Sequence, residues 1–225
     1  MTTQLAITAF LALAATGASA TTSITLPTGY TAAYGVVYNA ATDTSYVAIA
    51  ANSQGVTYSD AWNAINAIAT QGGPQGWLTT IYSAQENSTI ADGFASRGLD
   101  LWGYRIGAVR GDVRDVDGQV IPDYSGPWYW NGNANELLSY SNWNPGQPDN
   151  LWGNQYLSRF DHGGQWDDTD ASIGYDAVND VHYNIGFVAE FAGNVTVSAV
   201  PEPGSWALML VGITGLGAVA RRRTR

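Results

Sequence analysis

The sequence predicts one α+β domain set between two terminal segments that stand outside it. Along the chain, one strand precedes two amphipathic helices, and several short strands then alternate with long irregular loops, an order that argues against repeated βαβ units. Composition agrees: 26 glycines and nine tryptophans with only 12% charged residues suit short strands joined by shaped loops. Residues 21–199 are enough for one well-buried core and do not suggest two.

Residues 2–20 are apolar and close on Ala18-Ser19-Ala20, the small-x-small ending of a signal peptidase site. The usual basic start is missing, but the segment lacks the polar face that a first helix of a globular domain would show. Residues 1–20 are therefore predicted to be a signal peptide, and 21–57 an N-terminal strand region. Within it "TSYVAIAA" (44–51) reads as a strand from its β-branched and aromatic content. In "SDAWNAINAIAT" (59–70) Ser59 is expected to cap a helix whose apolar face is Ala61, Ile65, Ile68 and Ala69. "GWLTTI" (76–81) is a short strand. "SAQENSTIADGF" opens with Ser83 and carries Glu86 three residues on, a capping-box spacing; Gly98 is its expected stop.

Beyond residue 100, strands are predicted in "LWGYRIGAVR" (101–110), "GPWYWNG" (126–132), "QYLSRF" (155–160), "GQWDD" (164–168) and "NIGFVAEF" (184–191). The connections from Arg110 to Ser125 and from Asn131 to Asn154 are long for a compact domain, and such loops usually carry function. The domain proper is placed at 58–192, with a linker at 193–204 holding Pro201-Glu202-Pro203. Residues 205–225 are expected to be an apolar helix and basic tail: the run from Trp206 to Ala220 is short against the roughly 20 residues of a spanning helix. Arg221, Arg222, Arg223 and Arg225 mark its cytoplasmic side.

Between the terminal segments there is no lysine. Five arginines (97, 105, 110, 114 and 159) face eighteen acids, a net charge of −13. Such a surface repels nucleic acid and anionic lipid and suits cation binding or plain solubility. With no cysteine, stability must come from the core or from a metal. His162 and His182 are isolated, and no nucleophile elbow or phosphate loop is present. Asp167 and Asp168 are adjacent in sequence, which does not set them across a scissile bond. An enzyme is not expected.

The chemistry concentrates in "NWNPGQPDN" (142–150). Gln147 and Asp149 flank Pro148, "GNQY" follows with Asn154 and Gln155, and "GQWDD" supplies Asp167 and Asp168. All are hard oxygen donors of the kind calcium takes six to eight at a time, and no Cys–His set of the zinc type exists. Side chains at i and i+2 of an extended segment point the same way. A cis bond before Pro148, which only an X-Pro bond tolerates readily, would bring the Gln147 and Asp149 oxygens close enough to share an ion. Asp112, Asp115 and Asp117 in "GDVRDVDG" are either a solvated acidic turn or a second calcium loop.

Two resemblances follow from these motifs. The tail "VPEPGSWALMLVGITGLGAVARRRTR" resembles the PEP-CTERM sorting signal of Gram-negative bacteria. That resemblance implies removal at or near Pro-Glu-Pro by a membrane protease of the exosortase family, although a permanent tail anchor would read the same way. From about Tyr58 to Phe191 the chain resembles a C-type lectin domain. "SDAWNAINA" and "GWLTTIYSAQENSTI" match its two helices, "YRIGAV" its core strand, "WYWNGNANELLSYSNWNPGQPDN" its calcium loop, "WDD" its tryptophan-asparagine-aspartate motif and "GFVAEF" its final strand.

The resemblance implies a C-type lectin-like fold of two helices and short antiparallel strands with a long calcium-binding loop region. It also implies that Gln147, Asp149, Asp167 and Asp168 ligate calcium, and that Gln147, Asp149 and Asp167 contact a sugar. Trp152 is the candidate aromatic face for the sugar ring, with packing on the domain as its other reading. Gln-Pro-Asp implies a galactose-type preference. A family glutamate that completes the ion's shell is missing; Asn154 or Gln155 stands in its place, and Asn154 is taken as the fifth ligand. Asp167 in place of asparagine restores a charge. The family's cysteines are replaced by Tyr156 or Leu157 and by Val188 or Ala189. A calcium affinity on the order of 10⁻⁴–10⁻³ M is expected, as for extracellular modules.

The resulting expectation is an exported, calcium-dependent carbohydrate-binding protein of a Gram-negative cell surface or exopolysaccharide matrix. Its precursor would be held transiently at the inner membrane by the C-terminal helix. The rival expectation is a metal-independent scaffold of the same fold for protein contact or adhesion.

Overall fold

A computed structural model describes residues 21–52, 55–111, 113–114, 120–121, 126–130, 136–151, 157–172, 175–176, 181–182 and 184–198. The elements run β1 (Thr22–Thr25), β2 (Tyr30–Thr31), β3 (Val36–Asn39), β4 (Thr44–Ala51), α1 (Tyr58–Thr70), β5 (Gly76–Leu78), α2 (Ala84–Ala95) and β6 (Tyr104–Arg110). After them come β7 (Val113–Arg114), β8 (Val120–Ile121), β9 (Trp128–Trp130), β10 (Leu157–Phe160), β11 (Trp166–Thr169), β12 (Tyr175–Asp176), β13 (Val181–His182), β14 (Gly186–Ala192) and β15 (Val195–Ser198). This is the α+β order expected, with two helices and mostly antiparallel strands.

The main sheet runs β11-β10-β6-β14-β4-β2, with β3 also on β4, β5 on β14 and β9 on β6. Strands β4 and β14 pair over seven residues, Thr44–Ala50 against Gly186–Ala192. Both are nearly continuous apolar runs because both of their faces are covered. One face carries Val47, Ile49, Phe187, Ala189 and Phe191, packed by Ala61, Ala64, Ile65 and Ile68 of α1. The other carries Tyr46, Ala48 and Val188, packed by Ile90 and Phe94 of α2 and by Trp130, Phe160 and Trp166 from the site end of the sheet. The two helices thus clamp a central sheet from opposite sides.

Each helix starts where its cap allows. The cap of α1 is Thr57 rather than Ser59: its hydroxyl accepts from Asp60 N at 3.0 Å, and Asp60 reaches back to Thr57 N at 3.1 Å, a complete capping box. Ala64 joins the buried face, where Ala69 is only half-buried. In α2, Ser83 caps Glu86 N as expected. The Glu86 side chain, however, turns to Tyr46 Oη (2.5 Å) and Tyr82 N (2.8 Å), so the reciprocal half of the box is replaced by a link to β4. Beyond Ser96, Gly98 adopts a φ of +85° where the chain leaves the helix.

Several strands are absent from the sequence reading. Residues 195–198, placed in the linker, are β15 and pair in parallel with β1, Thr22 opposite Val195 and Thr25 opposite Ser198. Strands β1 and β15 form a two-stranded sheet of their own, so regular structure runs on past residue 192. Strands β7 and β8 pair inside the long 110–125 connection, and β14 meets β6 in parallel at Gly186–Tyr104. Arg105, in the middle of β6, is fully buried. Its guanidinium donates to the backbone carbonyls of Val56 (3.1 Å), Asp170 (2.8 Å) and Ser172.

Candidate functional site

The candidate site lies at the β10–β11 end of the sheet. Strands β10 and β11 form a hairpin with Ser158 opposite Asp168, Arg159 opposite Asp167 and Phe160 opposite Trp166. Side chains alternate along β11. Trp166 and Asp168 are fully buried, while Asp167 between them is partly exposed. Trp166 fixes the strand: its indole N–H donates to Asn87 Oδ1 of α2 at 2.9 Å, and its ring meets those of Trp130, Tyr140 and Trp143 edge-on at 5.7–5.8 Å. Trp128, its ring tilted against that of Trp143 at 4.7 Å, also packs against this core. Trp130 and Trp166 thus lie in the buried core, with Trp128 and Trp143 partly buried against it.

The loop 142–151 is tied to β11 through its backbone. Trp166 N donates to Asn142 O and Asn144 N to Trp166 O, each at 2.8 Å, and Asn144 Nδ2 reaches Asp161 Oδ2 at 2.6 Å. Gln147 N returns to Asn144 O at 2.8 Å, closing a tight turn through Pro145 and Gly146. The Gln147–Pro148 peptide bond is cis. Asn150 sits at a φ of +49°, a left-handed conformation that asparagine adopts more readily than most residues.

Asp168 is the anchor of this loop. Its Oδ1 accepts from Asp149 N at 3.0 Å and its Oδ2 from Asn150 N at 2.9 Å. Asp149 N also donates to Gln147 Oε1 at 3.0 Å, and Leu151 N donates to Asp149 Oδ1 at 3.0 Å. Asp167 faces Arg159 across the hairpin, with Nη2 and Oδ2 2.5 Å apart and the two side chains only 11% and 15% exposed. Burial pushes both aspartate carboxyls above the usual range. The Arg159 pair pulls Asp167 back down, the two loop amides do the same for Asp168, and the Asp149 charge raises both.

Gln147, Asp149, Asp167 and Asp168 therefore share one neighbourhood, with Asp149 felt electrostatically by both aspartates of β11. Trp152, Asn154 and Gln155 lie outside the described residues, as do Asp112, Asp115 and Asp117. Among the described residues no three acidic or histidine side chains are gathered around one metal position. The oxygens of Asp168 are turned to loop amides and Asp167 to an arginine. The donor chemistry fits a hard cation, since the four side chains offer oxygen alone and three of them are carboxylates. Arg159 sets a positive charge directly beside the one that Asp167 brings. The sequence reading missed this arginine. The signal available was the hairpin itself: a turn at His162–Gly164 puts residue 159 opposite 167, where opposite charges favour pairing.

Trp102 holds the other side of Arg159, with the guanidinium carbon 5.6 Å from its ring centre. Trp102 is stacked on His162 at 5.8 Å, and His162 Nδ1 lies 2.6 Å from Asp100 Oδ2 on the surface.

Residues 199–223 match the family model of the PEP-CTERM protein-sorting motif. This is the mark of an exported protein with a C-terminal sorting signal. The described residues contain no helix long and apolar enough to cross a membrane; the tail lies outside them. None of the curated proteins compared matches the sequence. Among solved structures the chain is similar to human lithostathine, at 19% identity over 74% of this chain and 99% of that one, with a TM-score of 0.44. It is similar to the C-type lectin CEL-I from Cucumaria echinata, at 20% identity over 73% and 95%, with a TM-score of 0.46. A third is the mouse scavenger receptor C-type lectin carbohydrate-recognition domain, at 21% identity over 73% and 98%, with a TM-score of 0.43.

Proposed function

We propose that this protein is an exported carbohydrate-binding module whose sugar site is the loop 147–151 beside β11, and that calcium mediates the binding. The observation that carries the reading is the docking of the Gln147-Pro148-Asp149 turn onto Asp168, beside Asp167. That contact sets the turn carrying Gln147 and Asp149 against the strand that carries Asp167 and Asp168. Gln147, Asp149, Asp167 and Asp168 would hold the ion, with Asn154 as the fifth ligand. A bound calcium supplies open coordination positions for two neighbouring hydroxyls of a pyranose. The chain's own part is to orient the acceptors: Asp168 fixes the loop through two amides, and Gln147 and Asp149 present oxygens that accept from the sugar hydroxyls. The Gln-Pro-Asp order supports a galactose-type preference, and Trp152 is proposed as the apolar face for the ring. The reading is binding rather than turnover, in a cell-surface or exopolysaccharide setting reached after exosortase processing of the tail.

The test is a melting curve with calcium and with chelator, followed by retention on immobilised galactose. A ligand that binds only the folded state raises the melting temperature by mass action. Retention that chelator abolishes supports the reading, and retention that persists in chelator removes calcium from it. One specific observation favours a second reading, a metal-independent scaffold for protein contact: Arg159 and the loop amides satisfy Asp167 and Asp168 with no ion. On that reading calcium leaves the melting temperature unchanged and galactose does not retain the protein.

A further inference from the structure

We infer that Arg159 is an internal cation that competes with the metal for Asp167 and so sets the calcium concentration at which the site fills. The inference rests on the calcium reading above and deepens it. The charge of Asp149 bears on both Asp167 and Asp168, and one guanidinium stands 2.5 Å from Asp167. Both members of that pair are largely withdrawn from water, so their interaction is screened far less than a surface pair would be. Asp167 cannot give its paired oxygen to a metal while it holds Arg159, and a divalent ion beside Asp167 would be repelled by the guanidinium. Filling the site therefore requires the Arg159–Asp167 pair to loosen, and affinity falls accordingly.

The arginine is held for this task on its other side. The Trp102 ring lies against the guanidinium and is itself stacked on His162, so the cation is kept at the site edge instead of swinging into solvent. Calcium affinity in oxygen sites is tuned by the charge count of the ligands. The described donors carry three negative charges, and Arg159 reduces them to two. The consequence is a site that stays closed on its own arginine at low calcium and opens to calcium, and then to sugar, at the higher concentrations found outside the cell.

The experiment titrates calcium into the full-length protein by calorimetry and records melting curves with calcium and with chelator. It compares the unaltered protein with Arg159→Met, which keeps the stem and removes the charge. The expected result is calcium affinity tighter by on the order of tenfold, from loss of one nearby like charge. It should come with a lower melting temperature in chelator and a larger rise on adding calcium. If the unaltered protein binds calcium and Arg159→Met binds it no more tightly, the inference is overturned while the calcium reading stands. If neither binds calcium, both are overturned. Should Arg159→Met fail to fold, two further variants take its place: Asp167→Asn, which leaves the arginine facing the ion, and the double change Arg159→Gln with Asp167→Asn. The double variant is expected to bind calcium about tenfold more tightly than the single one; equal affinities overturn the inference.

Discussion

Asn87 and Trp166 join α2 to the site strand through one buried hydrogen bond, Trp166 Nε1 to Asn87 Oδ1 at 2.9 Å. The same amide donates from Nδ2 to Gly164 O at 3.0 Å, and Asn142 Nδ2 donates to that carbonyl at 2.8 Å. Gly164 suits this place because a Cβ there would meet the Ala91 methyl at 2.6 Å, and its φ is +77°. Asn87→Ala leaves the indole N–H without its acceptor in the core and takes one donor from Gly164 O. A loss of about 2–3 kcal/mol is expected, read as a lower denaturant midpoint with an unchanged slope.

Asp168 is a loop anchor before it is anything else. Asp168→Asn keeps the volume but turns an amide donor toward the N–H of Asp149 or Asn150. A stability loss of about 1–3 kcal/mol is expected. The sharper readout is hydrogen exchange: the amides of Asp149 and Asn150 should lose protection while those of β4 and β14 keep theirs.

The exchange Gln147→Glu with Asp149→Asn tests the specificity half of the proposed function. It preserves one acid and one amide across Pro148 but reverses their order, so the acceptor and donor pattern offered to a sugar is swapped. Retention should move from galactose-type to mannose-type columns with calcium affinity within about threefold, since ligand charge is conserved. Unchanged preference would remove the Gln-Pro-Asp order from the specificity argument.

The parts of this fold that could be read in the sequence are those with a strong local pattern. The run "TSYVAIAA" is long and apolar enough to stand as β4, and both helices announced themselves through apolar spacing, α2 also through its Ser83 cap, whereas the cap of α1 lies two residues before the Ser59 expected. The Gln-Pro-Asp turn carried its own chemistry. What could not be read depends on distant partners. Strand β15 is only four residues of mixed polarity and exists because β1, at the other end of the domain, supplies its ladder. Arg105 looked like any strand arginine until the carbonyls of Val56, Asp170 and Ser172 surrounded it. Arg159 became part of the site only through hairpin register.

Arg105 should prove one of the costliest residues to replace. Its three donors satisfy carbonyls on two separate segments, and the Asp170 and Ser172 carbonyls immediately follow β11. Arg105→Met fills the stem's space but leaves these acceptors unpaired, with an expected loss of about 3–5 kcal/mol. Arg105→Lys retains the charge without the planar fork and should fall between the two. Urea midpoints order the three proteins, and a midpoint for Arg105→Met within error of the unaltered chain would refute the role given to Arg105.

Glu190 makes stability depend on pH in a direction opposite to ordinary acid denaturation. It sits on β14, where burial pushes its carboxyl up to about 7, with the charges of Glu86 and Glu136 adding to the rise. The Thr80 N–H at 2.7 Å and the Thr80 hydroxyl pull it down without prevailing. The folded chain thus holds this proton more tightly than the unfolded chain, whose carboxyl titrates near the ordinary value of 4.5. The associated stability is fully present below about 4.5 and is lost as the pH rises through about 7, a fall of at most roughly 3 kcal/mol. The raised carboxyls of Asp167 and Asp168 act with the same sign. Glu190→Gln keeps an acceptor for Thr80 N and removes the titration. It should flatten the stability profile between pH 5 and 8 and leave the variant more stable than the unaltered protein at pH 8. Melting temperatures across that range measure the difference, and parallel profiles for the two proteins would show that Glu190 is ionised throughout.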